Sequence, residues 1–436
     1  MKILHYSLGY PPNRSGGLVK YALDLMQEQA VQGHQVISLY PGKLDLVKRK
    51  SYIKKDTIKS GDNTIVYELY NSLPLALFGG IRTPKDFMVH ASLKMYHEFL
   101  MLIQPDVIHI HTLMGIHKEF FESAKQLNIK IVYTSHDYFG LAPEPNFFLD
   151  GKSYDDKNTI ENWLQASKQS MSTNKLRLFQ FKHYAYLRKI VNILDMKKSL
   201  VLTGNNIQKE IMLTKDEFEE YRQLKEFYYS IFCMIDQFHF NSTISKEVFI
   251  KNLPWIREEA YNVISITNTS ISKHKVEKIK RKKKVIAYIG PYQEYKGYYE
   301  FLKLPQILGT TDFEYRIYGD IKSEENENII NGSRYSADQI AAVYQHIDIL
   351  FVPSKWKETF GFVVLEALSY GKDVIVHTNV GAKDLVDPEY VYSDITIDVK
   401  RIIDKIENPH TDRKIKSMDK HAKEIIDFYK IGEKLS

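Results

Sequence analysis

Along the first half of the chain, short apolar runs alternate with segments of helical period. KILHYSL, HQVISLY, PDVIHIH and KIVYTSHD are compact runs rich in Ile, Val and Tyr, the signature of buried strands. Between the first two lies LVKYALDLMQEQAVQG, which places Leu18, Tyr21, Ala22, Leu25 and Met26 on one helical face and ends at Gly33. A strand–helix–strand rhythm of this kind predicts a parallel, doubly wound sheet. From residue 146 to 200 the rhythm breaks. KLRLFQFKHYAYLRKIVNIL reads there as a helix with Leu176, Phe179, Tyr184, Leu187, Ile190, Val191 and Leu194 interleaved with lysine and arginine. The Lys273–Lys284 stretch, KHKVEKIKRKKK, is a charge run that reads as a linker. Alternation then restarts with VIAYIG, EYRIYG, SADQIAAVYQHI, DILFVPS and DVIV. The expected architecture is α/β: a first Rossmann-like domain over 1–268, a basic linker over 269–284, a second over 285–410, and a C-terminal helix over 411–436 packing back towards the first.

Composition narrows the class. The 436 residues suit two or three domains and a sizeable core. Cys233 is the sole cysteine, which excludes an internal disulfide framework and a cysteine-built zinc site and fits a reducing cytosol. The start MKILHYSLGY enters a strand without the apolar core of a signal peptide, and no apolar run is long enough to span a bilayer. The expected location is cytoplasmic, with peripheral contact at the inner face of the membrane open through the basic helix of 175–198. An ordinary helix with its apolar face on the core explains that segment as well. A net charge of +6 permits phosphate binding, and no nucleic-acid motif accompanies it.

In open α/β sheets, ligands bind beyond the carboxyl ends of the strands, so the strand-end loops carry the candidate chemistry. PNRSGGL opens a helix, where Gly16 and Gly17 permit close backbone approach to a phosphate; a tight turn is the equal alternative. GPYQEYKG puts Lys296 at a helix start, as a point charge for a diphosphate or a solvated helix-end lysine. ETFGFVVLEALSYGKDVIV is more specific. Glu358 falls in the loop, the helix begins near Phe360–Phe362, and Glu366 lies more than a turn inside it. The amides around Gly361, Phe362 and Val363 suit an anion flanked by a hydroxyl-bearing group on each side. The alternative has Glu358 complementing the helix dipole and Glu366 in solvent. His109 and His111 share a strand face, and His136 closes another strand. The H-x-H spacing is a metal-ligand pattern, but the sequence offers no third histidine or carboxylate at a recognised spacing, and no metal is expected. Neither D-x-D nor G-x-G-x-x-G occurs at a strand end, which disfavours a metal-chelated diphosphate and a dinucleotide cofactor.

These pieces, IGPYQEYKG, YRIYGD, VYQHIDILFVPSKWKETFGFVVLEALSYGKDVIVHTNVGAKDLV, SGGLVKYALDL, PDVIHIH and YTSHD, resemble the retaining GT-B glycosyltransferases of family 4, the group 1 transferases. The likeness runs through both halves in order, with a weak middle from about 146 to 265. It implies two Rossmann-like domains facing a cleft and a nucleotide-sugar donor, UDP- or GDP-linked, held mainly by the second domain. Glu358 would meet the donor sugar, Glu366 the ribose, and Lys296 with Phe360, Gly361, Phe362 and Val363 the diphosphate. Gly16 and Gly17 would approach the donor phosphate, His136 the sugar, and Tyr335 the base. The implied reaction is metal-independent hexosyl or N-acetylhexosaminyl transfer with retention, to a glycan, lipid-linked or protein acceptor, without a cofactor. HDYFGLAPEPNFFLDGKSYDD resembles members that build bacterial surface polysaccharides. One departure stands out: Pro291 occupies the position of the family's usual arginine. That departure favours a competing reading, a non-catalytic GT-B subunit that binds a glycan or partner protein. A nucleotide-sugar epimerase or a phosphorylase fits less well, because of the glutamate placement and the lack of an identifiable cofactor lysine.

Overall fold

The computed structural model describes residues 1–61, 64–77, 79–168, 170–178, 180, 214–274, 281–321, 326–405 and 415–431. Most of the basic helix expected over 175–198 lies outside the described residues; within them, Thr173–Leu178 is helical. The chain forms two compact units. The first comprises Met1–Thr134, Tyr138–Pro145 and Lys157–Phe238, and the second Ser135–Asp137, Asn146–Asp156 and His239–Ser436. Among the described residues, no helix is long and apolar enough to cross a membrane.

In the first unit the strands lie in the order Lys130–Thr134, Val107–Ile110, Lys2–Tyr6, Gln35–Pro41, Thr64–Tyr70, Tyr52–Lys55. The pairings are parallel except the last, where Tyr52–Lys55 runs antiparallel along the edge. Apart from Lys2, the central strands Lys2–Tyr6 and Val107–Ile110 are buried throughout, as parallel strands covered on both faces must be. The helix Gly17–Val31 covers one face through Val19, Tyr21, Ala22, Leu25 and Met26. Sequence reasoning missed the edge strand Tyr52–Lys55, whose two lysines and short length weaken its period-two signal, and its inner neighbour Thr64–Tyr70.

The second unit carries a six-stranded parallel sheet in the order Ile329–Asn331, Phe313–Tyr318, Lys284–Ile289, Ile349–Val352, Asp373–His377, Val391–Tyr392. The predicted strands and their order along the chain are reproduced. The expected helix from Gly297 is broken into Tyr298–Phe301 and Leu304–Leu308, with Pro305 at the start of the second piece. SADQIAAVYQHI begins as a 3-10 turn, Ala337–Gln339, behind a Ser336–Gln339 capping box, and continues as Ile340–Gln345. In each sheet the strand order reverses around its first strand, Lys2–Tyr6 in one unit and Lys284–Ile289 in the other. The loops leaving these strands, GYPPNRSGG and GPYQEYKG, therefore sit at the switch points where open α/β sheets take their ligands.

Candidate functional site

Strands Lys284–Ile289 and Ile349–Val352 are parallel neighbours, so their carboxyl ends lie on one edge of the sheet. This is what brings Lys296 and Glu358 together across 62 residues of sequence. The Lys296 ammonium donates to Glu358 Oε1 at 2.6 Å and stands 5.1 Å from the centre of the Trp356 ring. The loop carrying Glu358 is fixed on several sides. Its N–H donates to the Asn379 carbonyl at 2.8 Å, and its carbonyl accepts from the Gly381 N–H at 2.9 Å. The Asn379 amide donates to the Lys355 carbonyl at 2.7 Å, and the Tyr295 carbonyl accepts the N–H groups of Lys355 and Trp356. Lys357 is held by Asp155 at 2.7 Å. Gly297, directly after Lys296, has φ 75°, and a Cβ there would lie 1.7 Å from the Pro353 carbonyl oxygen. The approach of these two loops therefore requires glycine at that position.

The helix Phe362–Ser369 begins behind Gly361, whose φ of 97° is a left-handed conformation. The expected start near Phe360–Phe362 and the end before Gly371 match. Phe360 is buried, and its carbonyl accepts the Ala382 N–H; Phe362 packs edge-on against it at 5.2 Å. Val363 is half-buried at the helix start. Glu366 is half-buried among tyrosines rather than solvated. The Tyr344 hydroxyl donates to it at 3.4 Å, and Tyr344 stacks on Tyr370 at 4.8 Å, which stacks on His274 at 4.1 Å. Burial foremost, with the Glu366 charge next, pushes the phenols of Tyr335, Tyr344 and Tyr370 above their ordinary value. Tyr335, the candidate for a base pocket, therefore falls in the neighbourhood of Glu366; its ring meets Tyr318 edge-on at 6.1 Å.

His136 belongs to the same unit. Its carbonyl accepts the Thr359 hydroxyl at 2.8 Å, while the Thr359 carbonyl accepts the Ser242 hydroxyl at 2.5 Å. The residue after Glu358 is thus tied to the His136 backbone. Burial, and secondarily His239, pull the His136 imidazolium down to about 3, so the ring is neutral near physiological pH. In the first unit, Gly16 is exposed at the head of helix Gly17–Val31, with φ 116° and open space where a Cβ would stand. Gly17, the first helical residue, is exposed too. His109 and His111 are fully buried in the core of the first unit.

Sequence reasoning missed Trp356, Thr359 and Asn379, though the strand-end segment SKWKETFG pointed to two of them. Tyr344 and Tyr370 gave no signal, because aromatics at helical spacing read as core. At the position of Pro291 the chain offers no cation, and its carbonyl accepts the Tyr288 hydroxyl at 2.6 Å. Nearby, Arg334 is engaged by Asp320 at 2.9 Å.

Two parallel-sheet Rossmann-like cores, each with its candidate loops at a switch point, define the GT-B architecture. Residues 270–425 match the family model described as Glycosyl transferases group 1, and residues 15–178 match that described as Glycosyltransferase Family 4. The chain thus carries a group 1 and a family-4-like glycosyltransferase domain, and its class of activity is glycosyl transfer. A curated relative from Klebsiella pneumoniae, described as an uncharacterized 42.6 kDa protein in the cps region, is 21% identical over 99% of this chain and 100% of its own length. Among solved structures, a glycosyltransferase from Rickettsia africae superposes with TM-score 0.55 at 14% identity, covering 100% of this chain and 99% of that one. The lipopolysaccharide outer core galactosyltransferase WaaB superposes with TM-score 0.52 at 13% identity over 99% and 96%. These two likenesses concern the fold.

Proposed function

We propose that the protein transfers a hexosyl or N-acetylhexosaminyl group from a UDP- or GDP-linked donor to a glycan, lipid-linked or protein acceptor, with retention at the anomeric carbon and without a metal. The observation that carries this reading is the Lys296–Glu358 pair at the switch point of the second unit, with Glu366 farther along the same loop-and-helix segment. In this reading Lys296 and the helix start behind Gly361 hold the diphosphate. Glu358 meets the donor sugar, Glu366 accepts from the ribose hydroxyls, and Tyr335 lies by the base. Phe360, Phe362 and Val363 shape that segment, His136 serves the sugar as a neutral imidazole, and Gly16 and Gly17 offer backbone to the donor phosphate. The transferred sugar passes through an oxocarbenium-like state while the departing diphosphate helps take the acceptor proton. Lys296 stabilises charge on that leaving group, a main catalytic contribution. No protein nucleophile is needed.

The acceptor is proposed to belong to surface-polysaccharide assembly, which the cps-region description of the Klebsiella relative supports. A cytoplasmic location with peripheral membrane contact fits a lipid-linked acceptor. Pro291 favours a second reading, a GT-B subunit that binds a glycan or partner without turnover.

The test is a panel of UDP-, GDP- and other nucleotide sugars, scored for binding and slow hydrolysis, with Glu366→Ala alongside. The expected result is one preferred donor, hydrolysed slowly, whose affinity falls about tenfold in Glu366→Ala, the loss of one hydrogen bond to a charged group. Binding without hydrolysis even when acceptors are added supports the subunit reading. Unchanged donor affinity in Glu366→Ala refutes the role of Glu366.

A further inference from the structure

In the first unit, His5 and His109 are register partners on the adjacent parallel strands Lys2–Tyr6 and Val107–Ile110. His111 follows two residues on, so the three rings share one face of the sheet. One nitrogen from each ring lies within 4.8 Å of the others, and all three residues are fully buried. His5 Nδ1 and His111 Nε2 are 3.0 Å apart. The rings of His109 and His111 are centred 4.1 Å apart, and Tyr21 of the covering helix meets His111 edge-on at 5.9 Å. The sequence alone showed only the H-x-H pair. The third histidine comes from another strand, 106 residues before His111.

We infer that His5, His109 and His111 form a binding site for a late first-row transition-metal ion, separate from the transfer site. Imidazole is a common donor to such ions and binds them in its neutral form, which full burial favours. Ligating histidines also have their second ring nitrogen held by an outer partner, as His5 and His109 do here. His5 Nε2 lies 2.8 Å from the Gln29 side-chain oxygen, an acceptor only, so that nitrogen carries the hydrogen and Nδ1 presents its lone pair to the group. His109 Nε2 lies 2.6 Å from the Thr134 hydroxyl. With metal–nitrogen bonds of about 2.0–2.1 Å, ligand nitrogens stand roughly 3.3–3.5 Å apart, so the closest pair needs to open by only a few tenths of an ångström. The group contains no carboxylate, so a divalent ion would bring hydroxide as a further ligand, and a monovalent one such as Cu⁺ would need none. Its effect would be to tie strands Lys2–Tyr6 and Val107–Ile110 to each other.

The test uses the full chain without a histidine tag, refolded separately with Zn²⁺, with Cu⁺ under reductant, and with Co²⁺ as a visible probe, then desalted. We expect close to one Zn²⁺ or Cu⁺ per chain by mass spectrometry, a tetrahedral Co²⁺ absorption band and a raised Tm. All three should be lost in His111→Phe and kept in the control His97→Asn, a half-buried histidine outside the group. Should His111→Phe not fold, Gln29→Leu replaces it, with metal affinity expected to fall about 10- to 100-fold through loss of the outer partner. Wild-type chain that folds but retains neither ion, shows no Co²⁺ band and has an unmoved Tm overturns the site and leaves a hydrogen-bonded histidine trio. So does metal binding that survives every variant.

Discussion

Replacing Glu358 by Gln tests the site through the sign of its effect. The Lys296–Glu358 contact is 2.6 Å, with side chains 23% and 13% exposed, so it lies between the surface and the buried limits. Two unit charges about 4 Å apart attract by about 4 kcal/mol at an effective dielectric near 20. Desolvation and ordering remove much of this, leaving about 1–2 kcal/mol. A diphosphate arriving at Lys296 must overcome this pairing and approach the Glu358 carboxylate as well. Glu358→Gln should therefore tighten binding of the free nucleoside diphosphate by about tenfold, equivalent to 1.4 kcal/mol. The same change should lower turnover if, as proposed, the Glu358 carboxylate meets the donor sugar. Lys296→Met should weaken nucleoside diphosphate binding, and adding Glu358→Gln to it should restore no more than the repulsion term. Titration calorimetry with UDP and GDP on the four proteins, together with hydrolysis rates, provides the measurement. If Glu358→Gln binds the diphosphate no more tightly than wild type, Lys296 is not its partner.

Two further outcomes follow from the same structure. Gly297→Ala should destabilise the second unit by about 3 kcal/mol, combining left-handed strain with a clash against the immovable Pro353 carbonyl. Gly33→Ala, with φ 86° and open space, should cost only about 1 kcal/mol in denaturant titration; equal costs would discount the close approach of the two loops. Stability should also fall on mild acidification. His5, His117 and His239 are drawn down to about 4 and His136 to about 3, burial being the first cause in each. Their stabilisation is complete above the unfolded value of about 6.5 and is lost as pH falls towards the folded values. Each histidine should cost about 1 kcal/mol by about pH 5.5, read as a lower urea midpoint than at pH 7.5. A midpoint that is unchanged or higher at the lower pH would contradict the burial of these rings.

The α/β class, the restart of alternation after the lysine run, and the loops that carry Gly16, Lys296 and Glu358 are all legible in the amino-acid order. These are local properties: period, punctuation by glycine and proline, and a loop's place after an apolar strand. The helix bearing Glu366 was legible for the same reason, since its boundaries follow from Gly361 and Gly371. Which residues meet is set by the assembled sheets. Lys296 reaches Glu358 because strand order, which no local pattern encodes, makes their two strands neighbours. Glu366 gains a tyrosine wall because Tyr344 and Tyr370 approach from the preceding helix and from the end of its own. The H-x-H pair has no third histidine at a recognised spacing in the chain, and strand Lys2–Tyr6 supplies one beside it. Long-range pairing in a parallel sheet joins side chains that are distant in sequence, and such meetings become visible only when the sheet is assembled.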